Sequence, residues 1–173
     1  TPALLMRSGI GRSGELQIHG IAEVVANDHV GQNLHDRYEV GVISDLAQPV
    51  ASLEGATFSA NPEDPYFQAW QHDGSGLYGT NGSVIAFTAR SDPSLAQPNL
   101  YIFGLPAGFR GYEQGYSTEI VHNPKAFTWA VLVAKTQNRA GLVVLSSADP
   151  HSQPEIQFNY FQEGAAADEQ ALR

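Results

Sequence analysis

The chain has 173 residues, 42% of them hydrophobic and 16% charged, with 17 glycines and 10 prolines, the composition of one turn-rich globular domain with a sizeable core. Nine Lys and Arg against 18 Asp and Glu give a formal net charge of −9, which excludes the basic face that nucleic acid or an anionic membrane would need. No cysteine is present, so disulfides and thiolate metal sites are excluded, and no apolar run approaches the ~20 residues of a membrane span.

"TPALLMRSGIG" (1–11) opens on a helix-start signal, because Pro2 fixes φ near its helical value and gives up only an N–H that would be unpaired anyway. Ala3 to Met6 read as the first turns of a buried helix, stopped by Ser8-Gly9-Ile10-Gly11. A chain that opens inside a helix, with no start methionine and no visible signal peptide, reads as a piece of something longer; a cytoplasmic location is the expectation. "SGELQIHG" (13–20) predicts a second short helix with Ser13 as N-cap and Gly20 as its stop. "IAEVVA" (21–26) predicts a strand, residues 27–40 an irregular segment, and "YEVGVIS" (38–44) another strand.

Residues 45–83 carry the weakest pattern, with a short helix expected from Pro65 to about Gln71 and a glycine-rich turn after it. Strand-like runs rich in Val, Ile, Phe and Tyr follow at 83–90, 99–105, 127–135, 141–147 and 155–161. "AKTQNRAG" (134–141) fits the turn of a hairpin joining 127–135 to 141–147. The tail "EGAAADEQALR" (163–173) is helix-prone. No helix of useful length separates the last three strands, so the expected class is α+β: a mostly antiparallel sheet of about six strands with helices on one face.

Six histidines stand at 19, 29, 35, 72, 122 and 151, and no pair has the spacing of a local ligand set, so no metal site is expected. "HDR" (35–37) sets an acid beside a histidine, but adjacent residues on extended chain point to opposite sides. "GSGLYGTNGS" (74–83) has the G-x-G-x-x-G spacing at 74–79 but lacks the lysine of a P-loop and follows an expected helix rather than a strand, so it reads as a wide turn. Tyr101, Phe103, Phe109 and Tyr112 read either as the lining of an apolar pocket or as core packing. Glu54, Glu63, Asp64 and Asp73 read as a solvated face, since nothing in their spacing makes a glycosidase pair.

Four motifs then resemble one family. "TPALLMRSGIG" is similar to the second signature of the glucose–methanol–choline oxidoreductases, and "VGQNLHDR" (30–37) resembles the Val-Gly-x-Asn-Leu-x-Asp-His that follows it. "GLYGTNGSVIAFTAR" (76–90) resembles the family's Gly-Pro-Leu-x-Ser-Asn-Gly turn and its next strand. "NRAGLVVLSSADPHSQPEIQFNYF" (138–161) resembles its long Ser-Arg-Gly-x-Val-x-Leu-x-Ser-Ala-Asp-Pro hairpin with a Pro-x-Ile-x-x-Asn-Tyr continuation. The motifs stand in family order and cover essentially the whole chain. Arg37 replaces the usual histidine, Thr80 the usual serine, and Tyr78 and Gly79 loosen the turn.

The resemblance implies an FAD-dependent enzyme that oxidises alcohols, passing a hydride from the carbinol carbon to flavin N5 while a histidine base takes the hydroxyl proton. It implies that residues 1–37 are the end of the FAD-binding domain and 38–173 a substrate-binding domain truncated at its C-terminus. Ser8, Gly9, Gly11 and Asn33 would lie on the cofactor side; Thr80, Asn81, Tyr101 and Phe103 would wall the substrate cavity. The resemblance places the family's dinucleotide-binding segment near the N-terminus of the full enzyme, ahead of the second signature that opens this chain, and the catalytic His-Pro-x-Gly-Thr segment does not occur in 1–173. No catalytic residue is therefore expected in this chain, and FAD is expected in the full-length parent without being retained here. The partners implied are a small-molecule alcohol and the missing FAD-binding portion, with no nucleic acid and no membrane. A free-standing ligand-binding module derived from the family is the alternative, and a non-redox lyase a remoter one.

Overall fold

The computed structural model describes residues 1–173. In chain order the elements are α1 (Pro2–Arg7), β1 (Ile10–Gly11), α2 (Ser13–Ile18), β2 (Val25–Ala26), β3 (Glu39–Asp45), α3 (Pro65–Asp73), β4 (Ile85–Ala89), β5 (Leu100–Leu105), α4 (Tyr116–His122), β6 (Ala126–Val133), β7 (Leu142–Val144), β8 (Glu155–Gln157) and α5 (Ala165–Ala171). Single 3₁₀ turns sit at Ala51–Leu53 and Leu77–Gly79. The chain divides into two compact units, one formed by residues 1–38 with 135–171 and the other by 39–134.

In the first unit, α1 and α2 close around Met6, Leu16 and Leu145, with Ala3, Ile21 and Val30 packed against them. Pro2 stands at the start of α1, as its fixed φ predicts. Ser13, expected as the N-cap of α2, is its first helical residue. The cap position belongs to Arg12, which makes no side-chain cap bond and pairs instead with Glu15 at 2.8 Å. The strand expected at 21–26 shrinks to β2, which runs parallel to β1. The preceding residues are spent in crossing Gly9, whose carbonyl accepts from Val24 N at 2.8 Å and Val25 N at 3.1 Å.

The hairpin expected over 127–147 does not form. β6 lies inside one sheet between β3 and β5, whereas β7 pairs only with β8, antiparallel, in the other unit. The residues read as its turn have other work. Asn138 is buried and its Nδ2 donates to the Asn159 carbonyl at 2.9 Å. Gly141 bridges Leu34 so closely that a Cβ would stand 2.3 Å from the Leu34 oxygen. Two tertiary anchors outcompete a local turn. The tail forms α5, where buried Asp168 accepts the Gln137 N–H on both oxygens at 3.0 and 3.1 Å.

The second unit is a four-stranded antiparallel sheet in the order β3-β6-β5-β4. The α+β class holds with four strands in the main sheet rather than about six, because the shorter strands pair off separately. Register aligns Gly41, Ala130, Phe103 and Ala86 in one row, so Phe103 rises between small neighbours. On the opposite face Gly104 is required: a Cβ there would lie 2.6 Å from the Phe127 ring and 2.8 Å from Ile85. Thr128, fully buried, ties down the chain leaving β5. Its hydroxyl donates to the Ala107 carbonyl at 2.5 Å and accepts from Phe109 N at 2.9 Å.

Candidate functional site

The cavity that defines the site lies wholly within the second unit and has a volume of about 610 Å³. Phe103 and Leu105 of β5 form its sheet side, and Tyr116 and Ile120 of α4 face them. The long excursion between β3 and β4 adds Leu53, Phe58, Leu77 and Tyr78, then the turn Thr80, Asn81 and Gly82. Phe109 and Tyr112 come from the loop before α4, and Glu39 is the one carboxylate. An aromatic, largely apolar recess with a few polar groups is what a small-molecule site requires. Phe109 meets Tyr112 edge-on at 5.1 Å between centroids, a preferred aromatic geometry. A second, more polar recess of about 630 Å³ shares Phe109, Tyr116 and Ile120 and carries Asp45, Arg110, Glu113 and Glu119.

One carboxylate organises the excursion wall. Asp64 is 1% exposed and is not part of a solvated face, contrary to its sequence reading. Its Oδ1 caps α3 by accepting from Tyr66 N at 2.8 Å and Phe67 N at 3.1 Å. Pro65 follows as the first helical residue, and Gly74 closes the helix at φ +76°, the combination that short helices need at their two ends. Oδ2 accepts from Thr57 N and Thr57 Oγ1, both at 2.7 Å, and from the Tyr78 hydroxyl at 2.6 Å. Burial pushes the Asp64 carboxyl upward, but the bonds from Tyr78, Thr57 and Phe67 outweigh it and hold the carboxyl well below its usual range. The same Tyr78 hydroxyl accepts from Phe58 N at 2.6 Å. Phe58 sits at φ +51°, a left-handed conformation that costs a non-glycine residue roughly 1–2 kcal/mol.

The structure brings Thr80, Asn81 and Phe103 together on the cavity. Tyr101 lies outside the lining: it is 40% exposed and packs on Phe103 at 5.8 Å, two residues along the same strand face. Thr80 and Asn81 also build their own turn, Thr80 Oγ1 donating to the Leu77 carbonyl at 2.8 Å and Asn81 Oδ1 accepting from Ser83 N at 3.2 Å. Sequence reasoning missed Glu39, Leu53, Phe58, Tyr78 and Tyr116. The signal available for the first wall was Asp64-Pro65 followed by Gly74, a complete set of helix ends inside a stretch otherwise without pattern.

The residues expected on the cofactor side lie in the first unit. The Ser8 hydroxyl donates to the Leu4 carbonyl at 2.9 Å. A Cβ on Gly9 would stand 2.4 Å from the Ala22 oxygen, and one on Gly11 3.1 Å from Met6, so both glycines serve close packing within this unit. Asn33 is exposed at φ +54°, beside Gln32, whose Nε2 is buried without an acceptor. These residues do not by themselves build a dinucleotide site: Gly9, Gly11 and Gly14 have the G-x-G-x-x-G spacing, but the helix they open has only six residues and the first two glycines are taken up by packing against Ala22 and Met6. Asp36 of "HDR" accepts from the Tyr160 hydroxyl at 2.5 Å, and that bond pushes the phenol up to about 12. Tyr38 stacks on Phe161 at 4.2 Å and accepts its N–H at 3.0 Å, so two sequence motifs far apart in the chain close on each other. No three of His, Cys, Asp and Glu come together to hold a metal, and no helix is long and apolar enough to cross a membrane.

No protein-family model matches the chain. An oxygen-dependent choline dehydrogenase of Brucella anthropi is 31% identical over 160 residues, 92% of this chain and 28% of the relative; one of Photobacterium profundum is 32% identical over the same length. Among solved structures, a formate oxidase superposes over 99% of this chain and 33% of its own, at TM-score 0.72 and 25% identity. A formate oxidase of Aspergillus oryzae studied for modification of its FAD is similar at 0.72 and 24%. Pyridoxine 4-oxidase from Mesorbium loti shares the fold alone, at 0.62 and 19%. This α+β chain spans about 28% of the length of the curated relatives it matches and about a third of the formate oxidases. Its relatives are choline dehydrogenases, and the solved structures it superposes on are glucose–methanol–choline oxidoreductases, the family that its four motifs resemble.

Proposed function

We propose that the chain is the substrate-binding portion of an FAD-dependent oxidoreductase acting on CH–OH groups. The observation that carries this reading is the aromatic cavity of about 610 Å³ built on Phe103, with Thr80 and Asn81 at its rim, in a chain homologous to choline dehydrogenases. FAD would supply the redox chemistry and would be held by protein outside these 173 residues. Residues 1–37 would contribute the edge of the cofactor-binding part, with Ser8, Gly9, Gly11 and Asn33 on that side; the substrate side begins at Tyr38. The work of this chain is to take up a small-molecule alcohol, orient it with Thr80, Asn81 and Phe103, and exclude water with its aromatic walls.

Two measurements test the reading. Mixed with excess FAD and gel-filtered, the 173-residue chain should elute without flavin, since of its two G-x-G-x-x-G runs one opens a helix of only six residues and the other follows a helix rather than a strand, and neither makes a pyrophosphate site. A stoichiometric flavin spectrum in the protein peak contradicts this. In the flavin-loaded parent, Phe103→Ala should reorder kcat/KM across choline, ethanol and benzyl alcohol. A side chain used only for core packing would instead lower stability by about 3–5 kcal/mol with the ranking unchanged.

A further inference from the structure

The excursion wall contains a device of which the sequence motifs include only Tyr78. Phe58 lines the cavity in a backbone conformation that favours glycine, at φ +51°. Such outliers persist only where their surroundings over-determine them, and they cluster at binding sites. Here the surroundings are explicit. Thr57 is held twice by Asp64 Oδ2, at 2.7 Å from its N–H and 2.7 Å from its hydroxyl. The next N–H, that of Phe58, is held by the Tyr78 hydroxyl, which itself donates to the same Oδ2. Tyr78 also packs its ring on Phe58, with centroids 5.3 Å apart, and is two residues from Thr80 at the cavity rim. A buried carboxylate surrounded by fixed donors resists rearrangement, because any movement strands a charge or an N–H in an apolar setting.

We propose that Asp64 and Tyr78 are positioning residues that pin the strained Phe58 as a fixed wall of the substrate cavity, so that this pair sets how large an alcohol the cavity admits. The proposal rests on the cavity being the substrate site. Neither residue needs to meet the reacting atoms; each acts through Phe58. A phenylalanine released from this grip would relax toward an unstrained φ and swing its ring, changing the space available to a bulky substituent more than to a short one.

The test compares kcat/KM for benzyl alcohol and ethanol in the flavin-loaded parent carrying Tyr78→Phe, Phe58→Ala or both. Tyr78→Phe removes the donor to Asp64 and the acceptor for Phe58 N together. It should shift the benzyl alcohol to ethanol ratio by about tenfold, with the change in KM, the size expected for losing about one hydrogen bond. In the Phe58→Ala background the same substitution should add nothing, since the pinned ring is gone. If Tyr78→Phe does not yield folded flavoprotein, Thr57→Val removes a hydroxyl donor from the same oxygen and takes the same readout, with a smaller shift. A lower Tm with an unchanged ratio would reduce the pair to scaffolding and overturn the proposal. If the ratio moves with Phe103→Ala but not with Phe58→Ala, the cavity reading stands and the pinning is wrong. If neither phenylalanine moves it, the cavity reading itself fails.

Discussion

Asp64→Ala should lower stability by about 3–4 kcal/mol, measured by urea unfolding near neutral pH. The magnitude combines the loss of a helix N-cap, worth ~1 kcal/mol, with hydrogen bonds to a charged acceptor at about 1.5–3 kcal/mol each, which are not additive. Alanine would leave Thr57 N, Tyr66 N, Phe67 N and the Tyr78 hydroxyl without their acceptor. The effect should depend on pH in one direction. Burial raises the carboxyl's affinity for a proton, and the donors from Tyr78, Thr57 and Phe67 lower it by more, so the folded value falls below the ordinary 3.8. A depressed carboxyl contributes stability above the unfolded value and loses it as the pH falls from there toward the folded one. The gap between wild type and Asp64→Ala should therefore be full at pH 6 and shrink below pH ~4. An equal gap at pH 6 and pH 2.5 would show that the carboxylate's charge is not its source.

Gly31→Ala should be the most damaging single-methyl change in the first unit, at about 3 kcal/mol or more. Gly31 lies at φ +80°, and a Cβ would stand 2.2 Å from the Val143 carbonyl oxygen. Left-handed backbone costs alanine roughly 1–2 kcal/mol, and overpacking against an immovable neighbour adds about 1–3 kcal/mol. The neighbour cannot yield easily, because Val143 N donates to the Gly31 carbonyl at 2.8 Å and Val143 pairs with Ile156 in β7-β8. Gly14→Ala is the matched control. Gly14 lies in α2 with nothing within 4 Å of a Cβ, so alanine should stabilise by about 0.5–1 kcal/mol. Thermal unfolding of both variants decides; losses of similar size would mean that close approach to β7 is not what Gly31 is for.

Local signals carried a good deal of this molecule. Pro2 started α1, Asp64-Pro65 and Gly74 bounded α3, and the apolar runs at 38–44, 83–90, 99–105 and 127–135 became β3 to β6, because capping chemistry and hydrophobic period act over a few residues. The order of four motifs pointed to the family of the relatives and structural neighbours, and the alternation of β5 placed Tyr101 and Phe103 on one face. Partner choice was decided elsewhere. β6 is apolar at nearly every position, so no alternation told which strand it would take. It took β3, more than eighty residues upstream, while Gly141 went to Leu34. The same distinction runs through the cavity. Phe103 was legible because it lies on a strand, whereas Phe58 and Tyr78 meet from 20 residues apart, around an Asp64 that holds the Tyr78 hydroxyl. Alone in sequence, Asp64 is an acid in a polar stretch. Its burial follows from five donors that converge only when the excursion folds over the sheet, and that convergence is a tertiary property.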